Sequence, residues 1–295
     1  MIFKPQKGKA FDKLPQKTLN NFNTTSYVTS VKFDGNQIFI CKRGDKIRWF
    51  TSDWKEFNLP QLGLSLAINN PVKDFDLVAE FNYNTIGKLG DRHEASGKLA
   101  TERANFRNGK PCSLDESKIH IKVFDYLSVE NDKHTNLDIG YINKLESSKE
   151  LKFPYQIQLI EYSIIKGINL KDKLKEVVNK GWEGLMAVET YSVYEIGKRV
   201  NHSIKLKDRP TADLKCIGYK PGEDSFEGMV GSLHLVDSYG REVFVSSGLE
   251  FHERDLKYFD ENFKDRIIEI SYEQIADTYL QPVYNCIRLD KTKGE

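Results

Sequence analysis

Apolar residues recur along the first half of the chain in short runs, separated by glycine, aspartate and other polar residues. Runs of this length, rich in β-branched and aromatic residues, predict strands at 27–31, 36–41, 47–50, 75–81 and 119–126. The closely spaced runs from 27 to 60 predict a β-meander. Residues 1–26 show little periodicity and predict a short lead-in, and the polar stretch 82–118 predicts a long loop or a loop–helix insertion.

A helical period appears once in the second half of the chain, between 168 and 180. Leu170, Leu174, Val177 and Val178 share one face, and Gly181 follows as a stop signal. Strands are predicted at 182–188 and 203–207, and Pro210 marks a boundary. Beyond it, short strands at 214–219, 229–236, 242–245 and 267–272 with a helix near 253–263 favour a small β-barrel. The sequence therefore predicts an α+β protein with domains at 1–210 and 211–295.

Lys32-Phe33-Asp34-Gly35 stands between two of the predicted strands. Asp-Gly is a strong turn signal, so we expect a β-hairpin here, with Lys32 at the end of its first strand. Rigid backbone would then hold the lysine amine over one face of the sheet. A surface lysine before a hairpin turn is the alternative interpretation of these four residues.

Composition narrows the class of protein. The chain has 295 residues, 39% hydrophobic and 29% charged, enough for two domains with real cores. No apolar run approaches 18 residues and the first residues lack a signal-peptide pattern, so we expect no membrane association. The four cysteines are far apart and form no C-x-x-C pair, which disfavours zinc and disulfide sites and favours a reducing cytosol.

The net charge of +1 is unevenly distributed. Residues 211–295 carry 10 Lys+Arg against 17 Asp+Glu, and residues 1–210 carry 34 against 26. A basic first domain suits a protein that binds a polyanion. Ordinary charge scatter is the competing explanation.

Six short elements follow one another in a fixed order. They are Lys32-Phe33-Asp34-Gly35, Glu80 at a strand end, Phe124-Asp125 within a strand, Glu183-Gly184 at a strand start, Lys205-Leu206-Lys207, and Arg288-Leu289-Asp290-Lys291. The alternation in the fifth element directs both of its amines to one side of a strand. Singly, each element has an ordinary structural explanation as a surface ion pair, a core aromatic or a solvated face.

Together and in this order, the six elements resemble the covalent nucleotidyltransferases, which are the ATP-dependent DNA ligases, the RNA ligases and the mRNA capping enzymes. The C-terminal part is most similar to a DNA ligase, through segments 227–233, 240–243 and 282–291. The resemblance implies an adenylation (ATP-grasp-like nucleotidyltransferase) domain with antiparallel sheets, followed by an oligonucleotide-binding (OB) fold β-barrel. It implies a minimal, two-domain ligase of the viral or phage type.

The resemblance implies a role for each element. Lys32, in its motif with Asp34, would attack the α-phosphorus of ATP, and cations at Lys205 and Lys207 would favour its neutral amine. Those two lysines would contact the α-phosphate and the nick phosphate. The remaining expected contacts are Glu80 to the ribose, Phe124 to adenine, Glu183 to the catalytic metal, Arg199 to the nucleotide, and Arg288 and Lys291 to pyrophosphate.

The partners follow from the same resemblance. We expect ATP as the nucleotide substrate, Mg²⁺ (or Mn²⁺) as the metal, and nicked double-stranded DNA as the nucleic-acid substrate. The protein would act as a monomer in the cytoplasm, of the host cell if a phage encodes it. An RNA ligase, or a capping enzyme using GTP, is the nearest alternative, and a non-catalytic nucleic-acid-binding protein is a more distant one.

The chain departs from the ligase pattern at two phosphate-binding positions. Gln37 and Ser52 stand where arginines are expected. Arg43, Arg48, Lys88 or Arg92 could replace the missing charge, and the sequence does not distinguish them. Stretch 82–118 is either an added DNA contact or a mobile surface loop.

Overall fold

The computed structural model describes residues 5–88, 90–207, 209–272, 274–291 and 294. The chain divides into two compact units, Met1–Asp208 and Arg209–Glu295. Among the described residues, none of the helices is long and apolar enough to cross a lipid bilayer.

The first unit contains twelve strands and five α-helices within the described residues. The strands are β1 (Lys7–Ala10), β2 (Ser26–Lys32), β3 (Asn36–Arg43), β4 (Lys46–Thr51), β5 (Glu56–Phe57), β6 (Asp74–Tyr83), β7 (Ile119–Glu130), β8 (Lys133–His134), β9 (Ile157–Leu159), β10 (Ser163–Lys166), β11 (Gly184–Glu189) and β12 (Arg199–Lys207). The helices are α1 (Gln16–Phe22), α2 (Pro60–Asn69), α3 (Arg92–Arg107), α4 (Tyr141–Ser148) and α5 (Leu170–Asn179), with 3₁₀ turns at Phe11–Lys13, Glu116–Lys118 and Gly167–Asn169.

These strands form two sheets. Sheet 1 has the order β1-β12-β11-β2-β10, and sheet 2 has the order β5-β4-β3-β6-β7-β8, with β9 added in parallel beside β7. Val28 and Val188 of sheet 1 belong to one buried cluster, against which Phe124 of sheet 2 packs. The two sheets therefore meet around an apolar seam.

The predicted hairpin at Lys32–Gly35 is wrong. β2 pairs with β10 and β11 in sheet 1, whereas β3 pairs with β4 and β6 in sheet 2. The motif is instead the crossing between the two sheets. Gly35 permits this crossing, because a Cβ there would lie 2.6 Å from Asn82 Oδ1 and 2.7 Å from the Phe81 carbonyl oxygen of β6. The predicted β-meander is present from β3 onward, since β3 and β4 form a hairpin in which Gly44 has φ +55°.

Two stretches hold more regular structure than their patterns indicate. The predicted lead-in contains β1, which pairs in parallel with β12, and α1. Stretch 82–118 contains the sixteen-residue helix α3, which buries Ala95 and Leu99, so the predicted loop–helix insertion is confirmed and a mobile surface loop is not an adequate description. The predicted helix at 168–180 is confirmed as α5, and the following strand begins at Gly184 rather than at 182.

The second unit is built mainly of strands. They are β13 (Thr211–Pro221), β14 (Val230–Val236), β15 (Glu242–Val245), β16 (Ile267–Ser271), β17 (Gln274–Ile275), β18 (Tyr279–Leu280) and β19 (Val283–Ile287). The predicted helix near 253–263 is a succession of short turns: 3₁₀ at His252–Arg254, α6 (Leu256–Tyr258) and a π-turn at Phe259–Phe263, with a further 3₁₀ turn at Asp224–Phe226.

Its main sheet is antiparallel, in the order β15-β14-β13-β16-β19. Among the described residues the end strands β15 and β19 do not pair, but the Tyr284 amide donates to the Ser247 carbonyl just beyond β15, at 2.9 Å. The sheet thus curls towards closure without forming a complete barrel, as a partly open OB-type sheet does. The α+β class is confirmed.

Candidate active site

Lys32 lies at the last position of β2, where sheet 1 ends and the chain crosses to sheet 2. On one side of central strand β11, Gly184 is in register with Lys32, and on the other side it is in register with Lys207. Glu183 directly precedes that glycine. The two lysines and the glutamate are therefore brought together by strand register, which holds their backbones rigidly.

A carboxylate bridges the two amines. Lys32 Nζ contacts Glu183 Oε2, and Lys207 Nζ lies 2.6 Å from Glu183 Oε1. The Glu183 side chain is only 9% exposed, so water screens these charges less than it would at the surface. We call these three residues the lysine–glutamate triad.

Lys205 and Arg199 extend the positive charge along β12. Burial, followed by the charges of Lys32 and Arg199, lowers the pKa of Lys205. The Arg199 guanidinium donates to the Gly8 carbonyl oxygen of β1 at 3.1 Å. Strand β1, absent from the sequence-based interpretation, thus helps to position a predicted nucleotide contact.

Glu80 lies in β6 of sheet 2, opposite Gln37 of β3. Burial raises the pKa of its carboxyl group to about 7, against the opposing charges of Lys32 and Arg92. A carboxyl group that titrates near neutral pH is unusual outside functional sites.

A cavity of about 410 Å³ adjoins the lysine–glutamate triad at Lys32, while Glu183 and Lys207 are not among its lining residues. Of the predicted site residues it is lined by Lys32, Asp34, Glu80, Phe124, Arg199 and Lys205. Its apolar wall includes Val78, Ile160, Met186 and Val188 beside the Phe124 ring. A pocket with one aromatic, apolar wall and one cationic wall suits a planar base joined to phosphate groups.

Comparison with known proteins identifies the family of the part of the chain that forms this cavity. The sequence profile described as "ATP dependent DNA ligase domain" matches residues 5–207. The chain belongs to the ATP-dependent DNA ligase domain family. All of the cavity-lining residues lie within the matched segment.

Individual relatives are distant. The DNA ligase of Nitrosopumilus maritimus (strain SCM1) is 24% identical over 273 residues, covering 87% of this chain and 46% of that protein. The DNA ligase of Thermococcus onnurineus (strain NA1) is 25% identical over 248 residues, covering 81% and 43%. The chain thus matches less than half the length of these curated relatives.

Solved structures show the same fold. A Lig E DNA ligase superposes with a TM-score of 0.67 at 18% identity, covering 98% of this chain and 100% of that one. The ATP-dependent DNA ligase of bacteriophage T7 in complex with ATP gives a TM-score of 0.52 at 18% identity, covering 97% and 98%. At these identities the likeness shows a ligase fold.

Several residues around the cavity were given no role by the sequence interpretation. Asp125 and Lys144 both line the cavity and form a buried ion pair at 2.7 Å, and Lys144 Nζ also lies 4.7 Å from the centroid of the Tyr194 ring. Burial raises the pKa of Asp125 against the opposing charge of Lys144. Tyr141, which like Lys144 is in α4, donates from its hydroxyl to the Phe124 carbonyl oxygen at 2.7 Å. The apolar pair Tyr141 and Leu145, spaced i, i+4, is the sequence signal for this helix, whereas its buried Lys144 and Ser148 give none.

Asp34, predicted as a catalytic residue beside Lys32, lines the cavity and is held in place by two hydrogen bonds to backbone groups. Its carboxylate accepts a hydrogen bond from the Gly90 amide at 2.8 Å, and its own amide donates to the Gly87 carbonyl oxygen at 2.8 Å. These bonds fasten the chain segment before α3 to the crossing that follows Lys32. Asp34 therefore positions the crossing.

Arg288 and Lys291 belong to the second unit, where both contact the buried carboxylate of Asp213. Arg288 Nη1 lies 3.0 Å from Asp213 Oδ2 and 3.3 Å from Glu269 Oε2, and Lys291 Nζ pairs with the same Asp213 oxygen. The guanidinium also binds Asp290 at 2.7 Å. Both cations are thus held by acids of their own unit.

No cluster of three or more His, Cys, Asp or Glu side chains suited to a metal occurs in the described ranges. The Glu183 carboxylate is the acidic group closest to the lysine amines. Mg²⁺ is commonly bound by one or two carboxylates together with substrate phosphates and water. The residues present fit a metal held jointly by Glu183 and a bound triphosphate, and do not fit a closed protein site.

Proposed function

We propose that this chain is an ATP-dependent DNA ligase that seals nicks between 5′-phosphate and 3′-hydroxyl ends in duplex DNA. The observation that carries the proposal is the place of Lys32, at the crossing of two sheets, bound to Glu183 and opening on a cavity with an aromatic wall and a cationic wall. Membership of the ligase domain family supports the same conclusion.

The first step would transfer AMP to Lys32. Its Nζ forms a bond to the α-phosphorus of ATP, the bond between that phosphorus and the bridging oxygen breaks, and pyrophosphate leaves. The amine must lose its proton first, because an ammonium has no free electron pair. The neighbouring cations Lys205 and Lys207 favour that loss. A divalent ion bound at Glu183 would neutralise charge on the phosphates.

The chain's own residues would hold the nucleotide during this step. Phe124 would stack on adenine, Glu80 would accept a hydrogen bond from the ribose, and Arg199 would contact the nucleotide. Lys205 and Lys207 would bind phosphate oxygens, and Lys207 could do so while bound to Glu183 at 2.6 Å, because an ammonium has three donors. Arg288 and Lys291 would orient the leaving pyrophosphate. To do so, they would release the Asp213 carboxylate and bind the pyrophosphate oxygens instead.

The remaining steps act on DNA. The 5′-phosphate oxygen at the nick attacks the phosphorus of Lys32-AMP, which frees the lysine and forms a DNA-adenylate. The 3′-hydroxyl then attacks the 5′-phosphorus, AMP leaves, and a phosphodiester is formed. We infer further that the protein works as a monomer in a reducing cytoplasm, which suits its four unpaired cysteines.

The test is covalent labelling. Purified protein is incubated with α-³²P-ATP and Mg²⁺ and resolved on a denaturing gel. A labelled band that disappears when nicked DNA is added, and that is absent in Lys32→Ala, supports the proposal. Lys46→Ala, which changes an exposed lysine at the tip of the β3–β4 hairpin, is the matched control and should label normally.

Other results would overturn it. Labelling of the Lys32→Ala variant would show that Lys32 is not the nucleophile. Transfer of the label only to nicked RNA would indicate an RNA ligase. Labelling with α-³²P-GTP but not with ATP would indicate a capping-type enzyme. Absence of label with either nucleotide, from protein shown by mass to be free of bound AMP, would favour a binding protein.

A further inference from the structure

The cavity wall formed by β3 and β4 lacks positive charge of its own. Gln37 and Ser52 both line the cavity, and neither side chain carries a charge. These are the two positions at which the sequence departs from the ligase pattern. The substrate proposed above brings phosphates to this cavity, so a cation from another element is needed here.

Three of the four possible replacements are engaged elsewhere. Arg43 binds Asp76 through two hydrogen bonds of 2.8 and 3.0 Å, and Arg48 binds Glu56 through two of 2.9 and 2.7 Å. Neither arginine lines the cavity. Lys88 also lies outside the cavity lining, with its amine 5.9 Å from the centroid of the Trp182 ring.

Arg92 is the fourth, and it does line the cavity. It is the first residue of α3 and has no hydrogen-bond or ion-pair partner among the residues that the structure describes. After Lys32, it is the cation that most strongly opposes the rise in the pKa of Glu80. Arg92 is thus a cation directed to the site with no protein anion bound to it.

The helix that carries Arg92 is firmly placed. Ala95 and Leu99 of α3 are buried in the core of sheet 2, and Ser96 Oγ donates to Asn36 Oδ1 at 3.1 Å. Asp91 accepts hydrogen bonds from the amides of residues 87 and 88 at 2.9 and 2.7 Å. These contacts fix the start of α3 against the beginning of β3.

A second unpaired donor lies on the same wall. Asn36 lines the cavity, and its Nδ2 is buried without a hydrogen-bond acceptor among the described residues. Buried amide groups in folded proteins nearly always have a partner, so this donor is free to bind a ligand oxygen or a water molecule. Asn36 and Arg92 together offer donors and positive charge without a protein acceptor.

We propose that Arg92 and the Asn36 amide form a phosphate-binding subsite that replaces the arginines absent at positions 37 and 52. The subsite rests on the proposed ligase function. The phosphate that binds there comes either from the nucleotide or from the 5′ end at the nick. Either phosphate group presents anionic oxygens that a guanidinium binds through two parallel hydrogen bonds.

The test separates the two sources of phosphate. Arg92→Ala is compared with wild type and with Arg107→Ala, which changes an exposed arginine at the far end of the same helix. Two rates are measured: self-adenylation at varied ATP concentration, and sealing of a nick that already carries the 5′-adenylate. Loss of a charge-assisted hydrogen bond should reduce one of them by ~10- to 100-fold. A lower rate of self-adenylation would show that the subsite binds a phosphate of the nucleotide. A lower rate of sealing alone would show that it binds the 5′-phosphate of the DNA.

A second-site variant makes the inference specific. In the Arg92→Ala background, Gln37→Arg places a guanidinium on β3 beside Glu80 and should recover at least tenfold of the lost rate. The Arg107→Ala control should stay within twofold of wild type. Loss without recovery would show that Arg92 does not replace the missing charge, and Arg92→Ala within twofold of wild type in both rates would overturn the subsite.

Failure of the subsite differs from failure of the ligase proposal. If wild type neither labels with ATP nor seals nicks, the proposed function falls, and the subsite falls with it. If wild type does both and Arg92→Ala equals it, only the subsite is refuted. Arg92→Ala should fold, because alanine is the strongest helix former and no ion pair is lost.

Discussion

Glu80 should make the first unit less stable as the pH rises from 4.5 to about 7. Burial raises its pKa from 4.5 to about 7 in the folded protein. Below pH 4.5 both the folded and unfolded states hold the proton, so there is no penalty. Between pH 4.5 and 7 the unfolded chain releases the proton and the folded chain retains it, so the free energy of unfolding falls with rising pH. Above pH 7 the full penalty applies.

The size of the effect follows from the pKa. Since one pKa unit corresponds to ~1.36 kcal/mol, a rise from 4.5 to about 7 implies a penalty of about 3 kcal/mol above pH 7. The glutamine of the Glu80→Gln variant carries no charge at any pH, so the variant should not show this penalty. For a unit of this size, ~1 kcal/mol moves Tm by roughly 2–4 °C. The variant should therefore melt roughly 6–12 °C above wild type at pH 8 and close to it at pH 5.

Tryptophan fluorescence is the appropriate assay, because Trp49, Trp54 and Trp182 all belong to the first unit. Thermal unfolding of the full chain is followed at pH 5, 6, 7 and 8 without nucleotide. Glu130→Gln, at the exposed end of β7, is the matched control and should show the same Tm difference from wild type at every pH. A Glu80→Gln difference that does not grow between pH 5 and pH 8 would refute the reasoning.

Three further predictions concern residues around the site. Glu183→Ala should lower nick sealing by ~100-fold or more at every Mg²⁺ concentration, since the Glu183 carboxylate bridges the two lysine amines; full rescue by excess metal would indicate a peripheral role. Asp125→Ala should cost about 3–5 kcal/mol in urea unfolding because it leaves the buried charge of Lys144 unpaired. Adding Lys144→Met should recover most of that loss, and no recovery would contradict the charge argument. Gly184→Ala should cost ~1–3 kcal/mol, because its Cβ would overlap the carbonyl oxygen of residue 206, whereas Gly97→Ala on α3 meets open space and should stabilise slightly; equal effects on Tm would contradict this steric account.

The sequence was most informative where the information is local. The strand that ends at Lys32, and the alternation of Lys205 and Lys207, follow from β-branched runs and a period of two, and the structure has strands at those places. The predicted strand end at Glu80 is wrong, because β6 continues past Glu80 to Tyr83. Pairing partners are not local. The Asp34-Gly35 signal marks a reversal, but whether the next strand joins the same sheet depends on β6 and β11, which lie far along the chain.

Residues that act through burial were harder to predict. Lys144 looks like a surface lysine in the sequence, yet it is 1% exposed because Asp125, Tyr141 and Tyr194 surround it. Arg92 stands in a polar stretch with several other cations. Its place in the cavity depends on how α3 packs, and that packing is decided by Ala95 and Leu99 against sheet 2.

The crossing between the sheets explains why one lysine among many is the candidate nucleophile. On one side, β2 is paired along both edges. On the other side, the Asp34 amide and carboxylate are bonded to residues 87 and 90, and Gly35 lies against β6. The backbone of Lys32 is therefore fixed from both directions, and only its side chain must move to reach a phosphorus atom. A nucleophile held in this way loses little freedom on the path to reaction, which is a main source of rate enhancement in a two-substrate step. The remaining barrier is electrostatic, because the amine must leave Glu183, and a phosphate-bound cation at that carboxylate is the change that would release it.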